Sequence, residues 1–391
     1  MTFLTEERRM IQEQAREFTL NEVLPVANKL DPEKGDIPMD LRDKMAALGY
    51  FGILIPEQYG GLGLGCSEYC IVTEELSRGW MSVASIIARG NLLIGSQMMS
   101  EEQRARYLPR MAKGEFLGAF SMSEPNAGSD ISNISCRARK DGSGYLVSGN
   151  KYWCTFADGA DFLIIIARTS DAPTGKRHLG LSMFFVEKKR GELPKGVNGA
   201  PIPKIGYFGW KTWELAFDNC RVPAENVIGE EGHAFYYATS GLEAARAHTA
   251  ARAIGLARGA LEDATAYAQE RRQFGQAIGE FQSTRFRLAR MATEIEAARQ
   301  LMYFVCDEID QKRRCDKEAA MVKFFASEMA ERVTSEALQV FGGAGYTTLH
   351  AVERYWRDAR LTKIFEGTSE IQQRIISDHL LGKPQERRGA A

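Results

Sequence analysis

The chain has 391 residues, of which 44% are hydrophobic and 26% are charged, and its formal net charge is −1. This length is enough for two or three domains, and the near-zero charge excludes a strong basic field that would recruit nucleic acid or an anionic membrane. No segment approaches the roughly 20 apolar residues of a membrane helix, and the N-terminus reads as an amphipathic helix rather than a signal peptide, so we expect a cytoplasmic protein.

The cysteines and histidines do not form a recognisable metal or disulfide framework. There are seven cysteines and five histidines, and no C-x-x-C pair occurs. An odd number of scattered cysteines favours free thiols in a reducing cytosol. We therefore expect no structural metal and no disulfide scaffold.

Three patterns of predicted secondary structure follow one another along the chain. Residues 1–118 show apolar residues at helical spacing. Residues 119–232 read as short strands separated by turns such as "DGSG" and "PKGVNGAP", which predicts a small barrel or sandwich. Residues 233–391 return to long alanine-rich helices, which predict an antiparallel bundle of three or four helices. The expected fold class is mainly α with a central β domain.

The common signatures of nucleotide binding and acyl transfer are absent. The sequence has no G-x-x-x-x-G-K-[ST] loop, no G-x-G-x-x-G turn after a strand and no G-x-S-x-G elbow. The polar stretch "SMSEPNAGSD" is a different candidate, because Ser123 and Ser129 offer hydroxyls and Gly128 permits close approach of the backbone to a ligand. The alternative is a polar loop at a domain boundary.

The strand "KYWCTF" carries a second candidate. Strand alternation places Trp153 and Thr155 on one face, where an indole beside a hydroxyl would suit a flat heteroaromatic ring with an acceptor at its edge. The alternative is a half-buried strand whose tryptophan fills the core.

Two helix ends carry further candidates. "RRQFG", at 271–275, offers arginines that can pair with phosphate, or it places favourable charge in a last helical turn. "VFGGAGY", at 340–346, is either a helix C-cap or a place where the backbone meets a ligand.

Glu366 lies in "FEGTSEIQQ", just before a predicted helix. Ser369 followed by Gln372 fits a capping box and predicts that the helix begins near 369. Glu366 is then either a surface carboxylate near a positive helix N-terminus or a base presented by a glycine-containing bend.

Taken together, these motifs resemble the acyl-CoA dehydrogenase family. The resemblance covers about 370 residues and rests on seven segments in family order, among them "YGGLGLG", "SMSEPNAGSD", "FDNCRVPAENVIGEEG", "ERRQFGQAIGEFQ" and "WRDARLTKIFEGTSEIQ". It implies a helical domain, a β-barrel domain and a C-terminal four-helix domain. It also implies FAD as cofactor, a homotetramer, and electron transfer to an electron-transfer flavoprotein.

The resemblance implies a role for each matching residue. Glu366 matches the catalytic base. Positions on the cofactor side match Phe120, Met122, Ser123, Ser129, Trp153, Thr155, Arg271, Phe274, Gln282, Gln339, Gly343, Thr368 and Glu370, of which Arg271 and Phe274 match residues that reach the FAD of a neighbouring subunit. Positions on the substrate side match Ser129, Glu243, Arg246 and Gly367, with Glu243 and Arg246 at the pair that contacts CoA.

The implied chemistry is α,β-dehydrogenation of an acyl-CoA thioester. The Glu366 N–H and a ribityl hydroxyl of the flavin would hydrogen-bond the thioester carbonyl and stabilise a developing enolate. An apolar pocket and Phe365 would raise the pKa of the Glu366 carboxyl. The β-hydride would go to flavin N5 and the product would be the trans-2-enoyl-CoA. Some relatives place the base on the long helix, but Ala245 stands there in this chain.

The acyl group is suggested by the segment 78–95, which lies where the family lines its acyl pocket. Arg89 and Asn91 interrupt an otherwise apolar stretch, and Arg78 and Ser82 in "RGWMS" resemble the arginine and serine that glutaryl-CoA dehydrogenases present to the substrate carboxylate. One interpretation is that Arg89 or Arg78 pairs with a carboxylate on the acyl chain, so that the substrate would be branched, cyclic or carboxylate-bearing. The alternative is that these residues face solvent or another helix.

Three other functions remain open from the sequence. The same site would serve an acyl-CoA oxidase that passes electrons to oxygen, or an enoyl-CoA reductase. A catalytically silent scaffold is disfavoured, because Glu366, Trp153, Thr155 and Arg271 are all present.

Overall fold

The computed structural model describes residues 3–91, 98–174 and 176–382, so residues 92–95 of the predicted acyl-pocket segment lie outside it. The N-terminal part is helical. Its helices are α1 (Glu6–Phe18), α2 (Leu24–Leu30), α3 (Met39–Ala47), α4 (Cys66–Gly79), α5 (Met81–Ile86), α6 (Ala88–Asn91) and α7 (Glu101–Ala112).

The middle part is one sheet. Its strands are β1 (Gly118–Ser121), β2 (Arg137–Asp141), β3 (Gly144–Thr155), β4 (Phe162–Arg168), β5 (Leu181–Glu187), β6 (Val197–Pro201), β7 (Thr212–Pro223) and β8 (Val227–Ile228). Within the described residues the strand order is β6-β7-β3-β2-β4-β5-β8, and β1 pairs in parallel with β4. The near-continuous burial of β4 and β5 explains their unbroken apolar sequences.

The C-terminal part is again helical. It comprises α8 (Ala234–Ser240), α9 (Leu242–Glu270), a hairpin of β9 (Arg272–Gln273) and β10 (Gln276–Ala277), α10 (Gln282–Asp310), α11 (Asp316–Phe341), α12 (Val352–Thr362) and α13 (Ser369–Leu381). No helix among the described residues is long and apolar enough to cross a membrane.

Helix α9 packs against α4, α10, α11 and α12, and its small residues let neighbouring helices approach closely. A Cβ atom added at Gly255 would lie 2.3 Å from the carbonyl oxygen of Glu74 on α4. The alanines that precede and follow Gly255 are fully buried. Close packing of this kind fixes α9 in position and thereby the polar side chains that it carries.

The predicted order of helical, β and helical segments is confirmed. One local prediction needs correction: α9 ends at Glu270, and Arg271 has extended backbone (φ −68°, ψ 122°). Arg271 therefore lies past the last helical turn. The glycine cap of α11 is found at Gly342, which has φ 61°.

Candidate active site

Glu366 lies in the short loop between α12 and α13. Its φ of 54° and the φ of 89° at Gly367 turn the chain sharply at this point. Side chains with a Cβ rarely adopt a φ such as that of Gly367, so this position favours glycine. The backbone N–H of Glu366 donates to no acceptor among the described residues.

Helix α9 supplies the partners of the Glu366 carboxylate. The Arg252 Nη2 and the Thr249 Oγ1 each lie 2.5 Å from Oε2. These two residues are three apart in sequence, so they lie on one face of the helix. The Arg252 guanidinium also donates to Ser85 Oγ at 3.0 Å and lies 4.6 Å from the centre of the Phe365 ring. Arg252 and Thr249 therefore fix one oxygen of the Glu366 carboxylate.

The charge environment keeps Glu366 ionised. Burial by itself would raise the pKa of the carboxyl, but the Arg252 charge and the hydrogen bonds to Oε2 outweigh it and lower the pKa to about 2. This is opposite to the raised pKa expected from the sequence, because the sequence did not reveal Arg252 as a partner. Burial lowers the pKa of His248 to about 3, so its ring is neutral near pH 7. The Glu366 side chain remains 36% exposed.

An aromatic wall joins the middle domain to Glu366. The Phe365 and Tyr207 rings pack edge to face at 5.9 Å, and Tyr207 packs in the same way on Trp210 at 5.2 Å. The Arg89 guanidinium lies over Trp210 at 5.1 Å. Arg89 makes no hydrogen bond or ion pair with a described residue, and its Nε is buried without a partner. The aromatic segment 206–214 thus forms one side of the site.

A buried ion pair anchors the loop that follows β1. Lys151 Nζ lies 2.9 Å from Glu124 Oε1 and donates to the Met122 carbonyl at 2.9 Å. The Ser123 carbonyl accepts from the Tyr152 N–H at 2.8 Å. The loop carrying Met122 and Ser123 is therefore fixed against β3. Sequence reasoning missed this pair, although a lysine and a glutamate beside the two candidate motifs were a visible signal.

Trp153 does not fill the core. Its side chain is 57% exposed, and its φ of 64° coincides with a break in the β3–β7 register. Thr155 is half-buried and its hydroxyl is 3.0 Å from that of Thr212. An uncovered indole at a bulge next to a hydroxyl fits a flat heteroaromatic ligand, whereas the core alternative does not hold.

A second group of predicted cofactor residues lies at the far end of α9. Stacking of Tyr267 on Phe341 at 4.2 Å shows that the C-terminal ends of α9 and α11 adjoin. At 1.5 Å per helical residue, Arg271 lies ~28 Å from Arg252. The structure does not bring this group to Glu366 within one chain. Its members are exposed: Arg271, Phe274 (94% exposed), Gln282, Gln339 and Gly343.

The start of α13 corrects the predicted capping box. Thr368, not Ser369, is the N-cap, and its Oγ1 accepts from the Ile371 N–H at 3.3 Å. Ser369 Oγ instead donates to Glu328, and Gln372 Nε2 donates to the Gly367 carbonyl at 2.9 Å. The helix begins at Ser369 as predicted. Thr368 is half-buried and Glu370 is exposed beside it.

The predicted CoA-side residues are spread over three elements. Glu243 accepts a hydrogen bond from the Cys315 N–H at 3.0 Å, at the start of α11. Arg246 is buried, and its Nε has no partner among the described residues. Ser129 is exposed in its loop, and Gly367 is half-buried between α12 and α13; Phe120, on the cofactor side, is half-buried in β1.

Two residues of the predicted acyl pocket have other partners. Arg78 pairs with Glu262 at 2.9 Å and with Asp263 at 2.7 Å, about three turns along α9 from Arg252. Ser82 is fully buried and donates to the Phe208 carbonyl. The structure therefore directs Arg78 away from Glu366, and of the two arginines only Arg89 lies at the site.

Comparison with known proteins agrees with this arrangement. Family models described as the N-terminal, middle and C-terminal domains of acyl-CoA dehydrogenase match residues 5–115, 119–220 and 232–381. The chain belongs to the acyl-CoA dehydrogenase family. It is therefore an oxidoreductase, and the family predicted from the motifs is confirmed.

Three relatives of this acyl-CoA dehydrogenase are informative. The chain is 42% identical over 389 residues to (2S)-methylsuccinyl-CoA dehydrogenase of Cereibacter sphaeroides, covering 97% of this chain and 70% of that protein. It is 38% identical over 385 residues to a subunit of the caffeyl-CoA reductase–Etf complex of Acetobacterium woodii, covering 97% and 100%. The solved structure "PigA with FAD and proline" superposes with a TM-score of 0.90 at 30% identity, covering 97% and 99%.

The expected cofactor, FAD, is confirmed by the family and by this solved structure. The residues present fit it. The exposed Trp153 indole offers a face for a flavin ring, and the anchored loop at Met122 and Ser123 lies beside it. Two exposed groups about a helix length apart suit a long dinucleotide.

Proposed function

We propose that Glu366 removes the α-proton of an acyl-CoA thioester, giving the trans-2-enoyl-CoA. The observation that carries the proposal is that one residue offers both groups the reaction needs. The Glu366 Oε1 and the Glu366 N–H have no partner among the described residues. Both belong to a loop whose Gly367 carbonyl accepts hydrogen bonds from Lys323 and Gln372. A surface carboxylate would not be fixed by a buried arginine.

The protein's part in the reaction is orientation and charge stabilisation. The Glu366 N–H would donate to the thioester carbonyl and stabilise the negative charge that develops there as Cα loses its proton. The bend at Gly367 allows the acyl chain to approach the backbone. FAD, when bound, supplies the acceptor for the hydride that leaves Cβ. Phe365, Tyr207 and Trp210 exclude water from the reacting carbons.

The contacts with FAD and CoA are assigned from the motifs, and every flavin-side residue is at least partly exposed. The flavin side comprises Phe120, Met122, Ser123, Trp153, Thr155, Thr368 and Glu370. Ser129, Glu243 and Arg246 serve the CoA side. The far group, Arg271, Phe274, Gln282, Gln339 and Gly343, reaches the FAD of a neighbouring subunit in a homotetramer, which agrees with its distance from Glu366.

The proposed acyl group carries a carboxylate. Arg89 lies against Trp210 without a described counter-ion, and a relative at 42% identity acts on methylsuccinyl-CoA, whose acyl group ends in a carboxylate. An arginine fork can bind such a group with two hydrogen bonds. Activity on butyryl-, glutaryl- and methylsuccinyl-CoA with an artificial acceptor tests this assignment. Preference for butyryl-CoA would contradict it.

A second direction, reduction of an enoyl-CoA, is supported by the relative in the caffeyl-CoA reductase–Etf complex. Electron-transfer flavoprotein is the proposed electron partner in either direction. Anaerobic reduction by the acyl-CoA, followed by separate addition of oxidised electron-transfer flavoprotein or air, decides the acceptor. Rapid reoxidation by air with formation of peroxide would identify an oxidase instead.

A further inference from the structure

We propose that Arg252 is a positioning residue of the reaction: with Thr249 it anchors Oε2 of Glu366, so that Oε1 is the oxygen that takes the α-proton. This inference rests on the proposed role of Glu366 as the base. It assigns the two carboxylate oxygens different tasks and identifies a residue that the sequence motifs did not single out.

The hydrogen bonds of the carboxylate are one-sided. Both described donors, Arg252 Nη2 and Thr249 Oγ1, bond to Oε2 at 2.5 Å. No described donor bonds to Oε1. Two strong donors on one oxygen fix its position, and a proton placed there would have to replace a charge-assisted hydrogen bond. The open oxygen, on a side chain that is 36% exposed, has no such cost.

Arg252 is itself held on several sides. Its side chain is 1% exposed, and it bonds to Ser85 on α5 and to the His248 carbonyl on α9. The Phe365 ring lies against its guanidinium at 4.6 Å. Because Arg252 is fixed in this way, the position of the Glu366 carboxylate is set relative to α9. Misplacement of a base by about 1 Å can cost two orders of magnitude in rate.

Arg252 is the one cation in direct contact with the carboxylate within the described part of the chain. His248 on α9 has its pKa lowered to about 3 by burial and is neutral. Lys323 on α11 is bonded to the Gly367 carbonyl rather than to the carboxylate. Tyr69 on α4, Tyr207 in the aromatic wall and Arg89 on α6 are further titratable or charged groups of the described residues that face this cluster.

The proton transfer follows from this geometry. The Cα–H bond breaks, an O–H bond forms at Oε1, and the electron pair becomes the Cα–Cβ double bond; FAD, when bound, would supply the acceptor for the hydride lost from Cβ. Oε2 keeps its bonds to Arg252 and Thr249 throughout. The nearby positive charge makes Glu366 a weaker base, but it also keeps the carboxyl ionised down to low pH. The fixed orientation of Oε1 compensates for the lower basicity.

The test is exchange of the substrate α-proton with D₂O, measured by mass spectrometry from pH 5 to 9. Dithionite first reduces the bound FAD, so that hydride transfer is blocked and exchange reports the base alone. The variants are Arg252→Gln, Arg252→Lys and Thr249→Val. Arg258→Gln is the control, because Arg258 is also buried on α9 but pairs with Glu74 and Glu75.

We expect wild type and the control to show no acid limb above pH 5. Arg252→Gln should gain an acid limb, because the carboxyl loses the charge that lowers its pKa, and its exchange rate at pH 6 should fall at least ~10-fold. Arg252→Lys should restore part of the rate. Thr249→Val should slow exchange without a new acid limb, since it removes an anchor but no charge.

A folded Arg252→Gln enzyme that binds FAD and exchanges with the wild-type rate and pH profile would overturn the proposal. If Arg252→Gln does not bind FAD, Arg252→Lys and Thr249→Val test the proposal instead. Exchange at the wild-type rate and with the wild-type pH profile in both variants would overturn it. Failure of the proposed function gives a different result, since wild type would then show no exchange or Glu366→Gln would retain it.

Discussion

The Nζ atom of Lys323 lies 2.6 Å from the carbonyl oxygen of Gly367, directly below the loop that carries Glu366. Lys323 is fully buried, and burial lowers its pKa to about 8. Gln372 Nε2 donates to the same carbonyl at 2.9 Å. Together, two donors from α11 and α13 hold the bend by its backbone.

Lys323→Met should loosen this bend. The Gly367 carbonyl would keep only Gln372 as a described donor, so we expect kcat to fall ~10-fold or more while KM for the acyl-CoA changes less. Steady-state kinetics measure both constants. Lys317→Met is the control, since Lys317 is on the same helix but pairs with Glu318 near the surface; an equal loss in both variants would contradict a local effect.

Trp153→Ala should weaken FAD binding. The indole is 57% exposed and offers an aromatic face that a flavin ring would cover. We expect the purified variant to retain less FAD and to bind added FAD at least ~10-fold more weakly by fluorescence titration. Trp356→Ala removes another exposed indole, on α12, and should retain FAD. Equal loss from the two variants would refute the flavin assignment.

Arg89→Met should change the choice of substrate. An uncompensated carboxylate in a partly buried pocket costs about 2 kcal/mol or more, which is a ~30-fold loss of kcat/KM for a carboxylate-bearing acyl-CoA. Butyryl-CoA should lose little, because it has no group for the guanidinium to bind. The two values of kcat/KM measured side by side check this, and parallel losses would contradict the pairing.

The buried ion pair of Lys151 and Glu124 should contribute strongly to the free energy of unfolding, because it anchors the loop after β1 that carries Met122 and Ser123. Lys151→Met leaves a buried carboxylate without its partner, which typically costs 3–5 kcal/mol in the free energy of unfolding. Denaturant unfolding measures it, with Arg221→Met as a control because the Arg221–Asp141 pair is exposed and worth less than about 1 kcal/mol. Equal destabilisation by both would contradict the distinction.

The same pair predicts a pH dependence. Burial alone would raise the pKa of Glu124, but Lys151 and the hydrogen bonds from Ser135 lower it below its ordinary value. Its contribution to stability should therefore be complete above the ordinary carboxyl pKa and be lost as pH falls through the lower, folded-state value. Unfolding midpoints of wild type and Glu124→Gln should converge on acidification; a constant difference would contradict this.

Much of the fold was predictable, because the periodicity of apolar residues differs between helices and strands. The stretch around Glu366 was predictable only through motifs elsewhere in the chain. By itself it fitted a capped helix start, and even there Thr368 and Ser369 compete as the cap. In the structure Thr368 is the N-cap, and the Ser369 hydroxyl instead donates a hydrogen bond to Glu328.

The partners of Glu366 were not predictable in the same way. Arg252 is 114 residues earlier in the sequence, and no local pattern says which element it faces. A signal was present: His248, Thr249 and Arg252 interrupt the stretch 247–257 of α9, whose other residues are alanine, isoleucine, glycine and leucine. Buried polar side chains need a partner, so these three residues indicate a site within the fold. Which residue is that partner depends on how the chain folds and cannot be seen in the local sequence.

The most direct test of the account is Glu366→Gln. This variant keeps the size of the side chain and removes the base, so it should bind FAD and acyl-CoA but bleach the flavin at least ~100-fold more slowly than wild type in an anaerobic stopped-flow experiment. Such a loss with unchanged binding supports Glu366 as the base. Bleaching at the wild-type rate would contradict it.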